Sequence, residues 1–348
     1  MDNLDLNMLP ELLLPWYREN HRCLPWRETK EPYHIWLSEI MLQQTRVEAV
    51  KGYYARFLAA LPTVEALANC DDDALHKLWE GLGYYTRVRN LKKAAQQIMT
   101  EYGGQFPNSH AEILRLAGIG PYTAGAIGSI CFELPTPAVD GNVLRVITRL
   151  SACADPIDLP ATRRTITDAL AAVYPEGACG DFTQSLMELG ATVCGPNGAP
   201  ACLLCPVSDL CRARRAGQQT HYPVKGAKKA RRIESRTVFL FRCDGRIALQ
   251  KRPSKGLLAG LWELPNHLGD CTAQQALEEA AQLQLSPYEL VKSVHAVHIF
   301  THIEWHMCCY EILCRSASSA YTWVSIEDLR HEYALPTAFR IFLKEELE

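Results

Sequence analysis

No stretch of the chain is long and apolar enough to cross a bilayer. Among the uncharged runs, residues 189–208 number 20 but include three prolines and three glycines, and Leu116–Phe132 has 17 residues and is broken up by four glycines, a proline, a threonine and a serine, where a span needs about 20 apolar residues. The first twenty residues do not look like a secretory signal. They carry Asp2, Asp5 and Glu11 and no early positive charge, whereas an export signal opens with basic residues before its apolar core. The expectation is a soluble, cytoplasmic chain with no membrane partner. Tandem repeats of 20–50 residues are missing too, which excludes solenoids and propellers. Composition shows little bias, with 48% apolar and 22% charged residues, and that excludes disordered, collagen-like and low-complexity classes. At roughly 150 residues per domain, 348 residues suggest two domains or three, each long enough to bury a core.

Cysteine is abundant instead, with fourteen in all. Without an export signal, thiols and metal ligands are the default reading rather than disulfides. Ten are scattered or stand as the Cys308–Cys309 pair and read as small buried apolar residues. The other four cluster. Charge is also uneven. Residues 212–236 hold nine Arg/Lys and one acid, a balance of +8, which leaves −11 on the rest of a chain whose net charge is −3. A basic segment on an acidic chain suits a polyanion contact, and equally a solvated linker.

Residues 1–211 read as helical. Val88, Leu91, Ala94, Ala95, Ile98 and Met99 recur at helical spacing before Gly103–Gly104, and Val143, Leu144, Ile147 and Leu150 do so again. The periodicity is lost over 212–235, which reads as a basic linker containing Pro223 and Gly226. Beyond it, Thr237–Cys243 and Arg246–Arg252 look like strands joined by Asp244–Gly245, a two-residue hairpin signal. His295–His302 and Trp305–Cys314 look like a second pair of strands, with a helix over Ala273–Leu283 between the pairs. Residues 236–348 therefore read as an α+β domain.

Two motifs carry chemistry. Cys194, Cys202, Cys205 and Cys211 fall within 18 residues in the spacing C-x7-C-x2-C-x5-C, with Pro196, Gly198, Pro200 and Pro206 forcing turns. Zinc usually shows two separated C-x2-C knuckles. With one short pair only, an iron–sulfur cluster on four thiolates suits the 194–211 loop better. Leu116-Ala117-Gly118-Ile119-Gly120-Pro121-Tyr122-Thr123-Ala124 sits between helical stretches. The Gly118 and Gly120 turn would bring two helices together and expose backbone N–H groups able to bind a phosphate, or be a plain tight turn. No predicted strand precedes it, which argues against a dinucleotide loop.

The hairpin, the segment Val139-Asp140-Gly141-Asn142-Val143 and the cysteine cluster occur in this order. Together they resemble the helix-hairpin-helix-Gly/Pro-Asp superfamily of base-excision DNA glycosylases. Leu24-Pro25-Trp26-Arg27, Ser38-Glu39-Ile40-Met41-Leu42-Gln43-Gln44-Thr45 and Gly81-Leu82-Gly83-Tyr84-Tyr85-Thr86-Arg87 narrow the resemblance to the adenine DNA glycosylases, whose layout extends over nearly the whole chain. The resemblance implies a mainly α helix-hairpin-helix fold with an iron–sulfur loop, followed by a C-terminal Nudix-like domain. Its implied activity is excision of adenine mispaired with 8-oxoguanine or guanine in duplex DNA, by a monomer carrying a 4Fe–4S cluster. The first cysteine spacing departs from the family's usual six by one residue.

Cleaving the N-glycosidic bond of adenine needs a protonated acid near the base and an ionised carboxylate near the sugar. Glu39 lies in the otherwise almost apolar run Ile35–Leu42. Burial there would hold it protonated at neutral pH, and the resemblance makes it the general acid; a solvent-facing helix glutamate is the plainer reading. Asp140 stands just before an apolar-periodic helix. It suits an N-cap, and the positive helix end favours the ionised form that would stabilise or attack an oxocarbenium ion. By resemblance, Tyr122 and Asn142 orient these groups. Tyr122 also occupies the position of the Schiff-base lysine in glycosylase/lyases of the endonuclease III type, and tyrosine cannot form that base. Base flipping leaves a gap to fill. The resemblance gives Gln44 and Tyr84 to probing or wedging the duplex near the orphaned base, Leu42 to lining that region, and Arg27 to DNA contact. Phe300-Thr301-His302 resembles the family's Phe-Ser-His loop for 8-oxoguanine, with Thr301 in place of serine. Arg236–Pro265 looks like half of a Nudix domain, but the helix that would hold magnesium offers only Glu278–Glu279, a poor site for that ion. The domain therefore reads as a lesion reader rather than a hydrolase. An endonuclease III-type glycosylase/lyase and a non-catalytic iron–sulfur DNA-binding module are the competing functions.

Overall fold

The computed structural model describes residues 6–226 and 230–347. Residues 1–5, which bear on the reading of the N-terminus, and 227–229 of the basic linker lie outside the described residues, as does residue 348. The chain divides into two compact units. One comprises Met1–Asn69 and Arg89–Ala227, the other Cys70–Val88 and Lys228–Glu348. The linear division at the basic linker would leave 70–88 with the helical part; in the structure that segment packs with the C-terminal sheet. Among the described residues, no helix is long and apolar enough to cross a membrane.

The first unit is helical because its apolar residues recur at helical spacing. The Gly141–Ser151 helix buries Val143, Leu144, Val146, Ile147 and Leu150 against the Leu9–Asn20 and Cys179–Thr192 helices, at about 1.5–3 kcal/mol for each large side chain fully removed from water. The Pro32–Leu42 helix is apolar all round and buries Tyr33 and Ile35 through Met41, as an inner helix does. Its polar residues go inside with it, Glu39 among them. The glycine turn has a steric cause. Gly118 has φ +74°, and a Cβ there would meet the Asn90 side chain at 2.5 Å. Gly120 is the N-cap of the Pro121–Phe132 helix, with Pro121 at its first position.

The second unit is built on a seven-stranded sheet. Its strands are β1 (Arg232–Cys243), β2 (Arg246–Lys251), β3 (Trp262–Glu263), β4 (Asn266–Leu268), β5 (Pro287–Ile299), β6 (Ile303–Cys314) and β7 (Thr322–Val324). The main path runs β3-β2-β1-β6-β5, with β4 on β1 and β7 on β2. β1 and β6 are parallel and the other pairs antiparallel. The Asp244–Gly245 turn has φ +49° and +71°, the doubly left-handed form that a two-residue hairpin prefers. Central strands are covered on both faces. Val238 and Leu240 enter one core with Trp305 and Met307, while Phe239 and Phe241 enter another with Cys308 and Tyr310. The Ala273–Gln282 helix forms where the sequence predicts it, started by a Thr272–Gln275 capping box.

Candidate active site

Glu39, Tyr122, Asp140 and Asn142 all face one cavity of about 680 Å³ in the first unit, together with Leu42 and Gln44. That volume is ordinary for a small-molecule site. Glu39 is 6% exposed, and the Tyr122 hydroxyl donates to its carboxylate. Burial pushes the Glu39 carboxyl up to about 7, the Tyr122 hydrogen bond pulls it down, and the nearby Asp140 charge raises it further. Burial, with the charges of Glu39 and Asp140, holds the Tyr122 phenol well above its usual value, so it stays a donor.

Asp140 caps the Gly141–Ser151 helix. One oxygen accepts from the Val143 N–H at 2.8 Å, worth about 1 kcal/mol for a typical cap. The other accepts from Asn142 Nδ2 at 2.7 Å. Burial outweighs the bonds from Val143 and Asn142 and the charge of Arg145, so the Asp140 carboxyl stands above its ordinary value. Val143 and Asn142 give Asp140 two donors, which favour its ionised form, against the single donor Tyr122 on Glu39. Behind Asp140 stands Arg145, which is buried. It donates to Asn142 Oδ1 at 2.9 Å and to the Gly190 carbonyl at 2.7 Å. A Cβ on Gly190 would meet that of Asn142 at 2.6 Å, so the close approach of these two helices needs glycine.

Arg145 and a second group escaped the sequence reading. Glu188, fully buried, accepts from the Arg22 side chain at 2.7 and 2.8 Å, from the Arg22 N–H at 3.0 Å and from Arg27 at 2.8 Å. Burial would raise the Glu188 carboxyl, but these bonds prevail and hold it at about 2. Arg27 is 10% exposed and also donates to the Arg22 carbonyl. It therefore forms part of the cavity wall. The sequence signal was an acid between the apolar residues Leu186, Met187 and Leu189.

Gln44, exposed at the end of the Pro32–Leu42 helix, has φ +59°. Tyr84, in the second unit, has φ +49° and is 49% exposed. Left-handed backbone at non-glycine residues costs energy and concentrates at functional sites. Tyr84 also meets Thr301, whose Oγ1 donates to its hydroxyl at 3.5 Å. The expected strand stops at Ile299, and Phe300–His302 form the β5–β6 turn, closed by Phe300 N–H to the Ile303 carbonyl at 2.8 Å. Phe300 packs on Trp305 at 4.8 Å, leaving Thr301 and His302 exposed.

The four clustered cysteines line a separate cavity with Val146, Leu150 and Leu189. Burial and the neighbouring cysteines raise the Cys205 thiol to about 12 and push Cys211 up as well. Arg149 donates to Cys194 Sγ at 3.2 Å and the Arg214 N–H to Cys211 Sγ at 3.4 Å. All four cysteines face this one cavity, a set of soft donors of the kind that zinc and iron–sulfur clusters both take.

The family model of the HhH-GPD superfamily of base excision DNA repair proteins matches residues 37–171, and that of the NUDIX domain matches residues 237–345. Among solved structures, a thermostable thymine-DNA glycosylase is 29% identical, with a TM-score of 0.55 over 60% of this chain and 96% of that one. Relatives similar over both units include the adenine DNA glycosylase of Rattus norvegicus, 33% identical across 98% of this chain and 79% of its own length. That of Homo sapiens is 34% identical across 94% and 72%. A helical unit with two carboxylates in one cavity, a C-terminal region matching the NUDIX domain and similarity running through both place the chain in the adenine DNA glycosylase family.

Proposed function

We propose that the chain is a monofunctional DNA glycosylase that removes adenine mispaired with 8-oxoguanine, or with guanine, from duplex DNA during base-excision repair. The observation that carries this reading is the pair Glu39 and Asp140 in one cavity, Asp140 held by two donors and Glu39 by one. Glu39, protonated over much of the neutral range, gives its proton to a ring nitrogen of the flipped adenine. The base can then leave with the bonding electrons of the glycosidic bond. Asp140, ionised and held by Val143 and Asn142, stabilises the positive charge that develops on the sugar. Water adds hydroxide to the anomeric carbon and returns its proton to the Glu39 carboxylate. Tyr122 donates to Glu39 and offers no amine for a Schiff base.

Thr301, His302, Tyr84 and Gln44 are proposed to read the base left behind, with Gln44 and Tyr84 reaching the duplex and Leu42 lining the opening. Gly118 and Gly120 are proposed to present N–H groups to a DNA phosphate, and Arg27 to shape the base-binding wall. A 4Fe–4S cluster would be held by Cys194, Cys202, Cys205 and Cys211. When bound, it would supply a cross-link of the 194–211 loop, whose cavity shares no lining residue with that of Glu39. The test is incubation of the purified protein with a duplex bearing adenine opposite 8-oxoguanine, followed by alkali. Strand breaks at the adenine only after alkali are expected; an intact strand after alkali refutes the reading.

A further inference from the structure

The second unit holds a set of donor atoms that the glycosylase chemistry leaves unused. His267 lies on β4, Cys271 in the loop that follows, and Glu279 on the Ala273–Gln282 helix. One atom from each, an imidazole nitrogen, a thiol sulfur and a carboxylate oxygen, lies within 4.8 Å of the other two. His267 Nε2 is 3.2 Å from Glu279 Oε2 without the alignment of a hydrogen bond. Nδ1 of the same ring is 2.9 Å from the Leu268 carbonyl oxygen. A carbonyl only accepts, so Nδ1 donates outward and Nε2 is the ring nitrogen turned toward Glu279, the orientation of a metal-binding histidine with its outer hydrogen bond in place.

The loop between these residues is fixed in advance. The Cys271 N–H donates to Thr237 Oγ1 at 3.1 Å, Thr237 Oγ1 donates to the Gly269 carbonyl at 2.9 Å, and the Tyr310 hydroxyl donates to the Cys271 carbonyl at 2.7 Å. The backbone carrying the thiol is thus tied to β1 and β6 through its N–H and its carbonyl.

We infer that His267, Cys271 and Glu279 form a binding site for a borderline-soft divalent cation of the zinc class, with water as fourth ligand. Imidazole, thiolate and carboxylate are zinc donors, whereas magnesium and calcium select oxygen. Bonds of about 2.0–2.3 Å place tetrahedral donors roughly 3.3–3.8 Å apart, so side-chain rotations of about an ångström close the set. Thiolate and carboxylate neutralise the dication, and binding releases the thiol proton. The ion joins the loop after β4 to the helix. It uses Glu279 alone of the Glu278–Glu279 pair; Glu278 is exposed and bonded to Gln274 at 2.9 Å.

The test uses the full chain. Protein equilibrated with zinc chloride and then desalted is assayed for zinc and iron by plasma mass spectrometry, the iron serving as a count of the other cysteine site. Retained zinc should reach about one ion per chain in the parent and fall to background in Cys271→Ser and His267→Ala, with iron unchanged. Equal zinc in parent and Cys271→Ser, or none in the parent, overturns the proposal. Circular dichroism and iron content check that each variant is folded. Should both variants fail to fold, Glu279→Gln on the helix surface takes their place. Alkylation of Cys271, read by peptide mass spectrometry, should be slowed by zinc in the parent and not in Glu279→Gln. Alkylation unaffected by zinc in the parent also overturns the proposal.

Discussion

Replacing Glu39 by glutamine should make the protein far less active and, at alkaline pH, more stable. The size of the second effect follows from burial. In the unfolded chain a glutamate has its ordinary value of 4.5, and the folded protein raises Glu39 to about 7. Below pH 4.5 both states are protonated and nothing is lost. As pH rises from there through 7, the folded state must ionise a carboxylate that it has taken from water, and that part of the stability disappears. A rise from 4.5 to about 7 corresponds to about 3 kcal/mol at full ionisation. At 6% exposure solvent screening removes little of this, but glutamine gives a weaker bond with Tyr122, so a gain of about 1–3 kcal/mol is expected. For a unit of this size that is roughly 2–10 °C in Tm. The assay compares thermal midpoints of parent and Glu39→Gln at pH 5 and pH 8.5, at one scan rate. The variant's advantage should widen at the higher pH, while single-turnover excision falls at least 10²-fold with DNA binding retained. An advantage that does not change with pH would refute a high-pKa acid at position 39, and near-normal excision would make Glu39 structural.

Glu188→Gln strands two arginines that share one buried acceptor and should cost about 2–4 kcal/mol near neutral pH, read by denaturant unfolding. The Glu188 carboxyl is depressed to about 2, so this contribution is present above pH 4.5 and fades as pH falls toward 2. An equal loss at pH 2 and pH 7 would contradict it. With Tyr122 at the lyase position, borohydride should trap no enzyme–DNA adduct at levels matching turnover; efficient trapping would place the protein among the glycosylase/lyases. Thr301→Val keeps the shape and removes the hydroxyl. It should weaken the preference for 8-oxoguanine over guanine opposite adenine by about 0.5–1.5 kcal/mol, while Thr301→Ser keeps it, and an unchanged ratio in the valine variant moves lesion reading elsewhere. Protein purified anaerobically should carry iron and sulfide on the 194–211 loop, and stoichiometric zinc there without them would exclude the cluster.

What was legible in the sequence is what local physics decides. Asp140 as a cap, the Asp244–Gly245 turn and the Ala273–Gln282 helix each depend on a few neighbouring residues. Glu39 lies in an almost apolar run that permits burial, but only the family resemblance chose that over a solvent-facing position. What was not legible depends on partners far along the chain. Glu188 is 166 residues from Arg22, and no local pattern announces that a buried acid will meet two arginines. The segment 70–88 reads as ordinary helix and turn. Yet Lys77 bonds to the carbonyls of Leu329 and Tyr333, and Glu80 to the Leu335 N–H, so its allegiance is to the C-terminal unit. The basic linker misled locally as well. Charge masks a short helix at Arg212–Arg215, and β1 begins at Arg232 because its backbone pairs with Ile303 and beyond, whatever its side chains. The His295–His302 run satisfies the strand pattern to its end, but Phe300 turns inward onto Trp305 and closes the hairpin there.

The two carboxylates differ by what stands behind them rather than by how deep they lie. Burial raises both. Asp140 meets that penalty with a cap bond that any aspartate before this helix would make, and with Asn142, which Arg145 holds in place. Glu39 sits in mid-helix, where backbone N–H groups are already used, and has one side-chain donor. An N-cap position therefore favours the anion and an inner-helix position favours the acid from the same functional group. The Asp140 charge then raises Glu39 further, so ionising the first helps to keep the proton on the second. This coupling sets a window bounded below by protonation of Asp140 and above by ionisation of Glu39 at about 7. Within it, the pair holds a single proton, on the side of the cavity where a leaving base needs it.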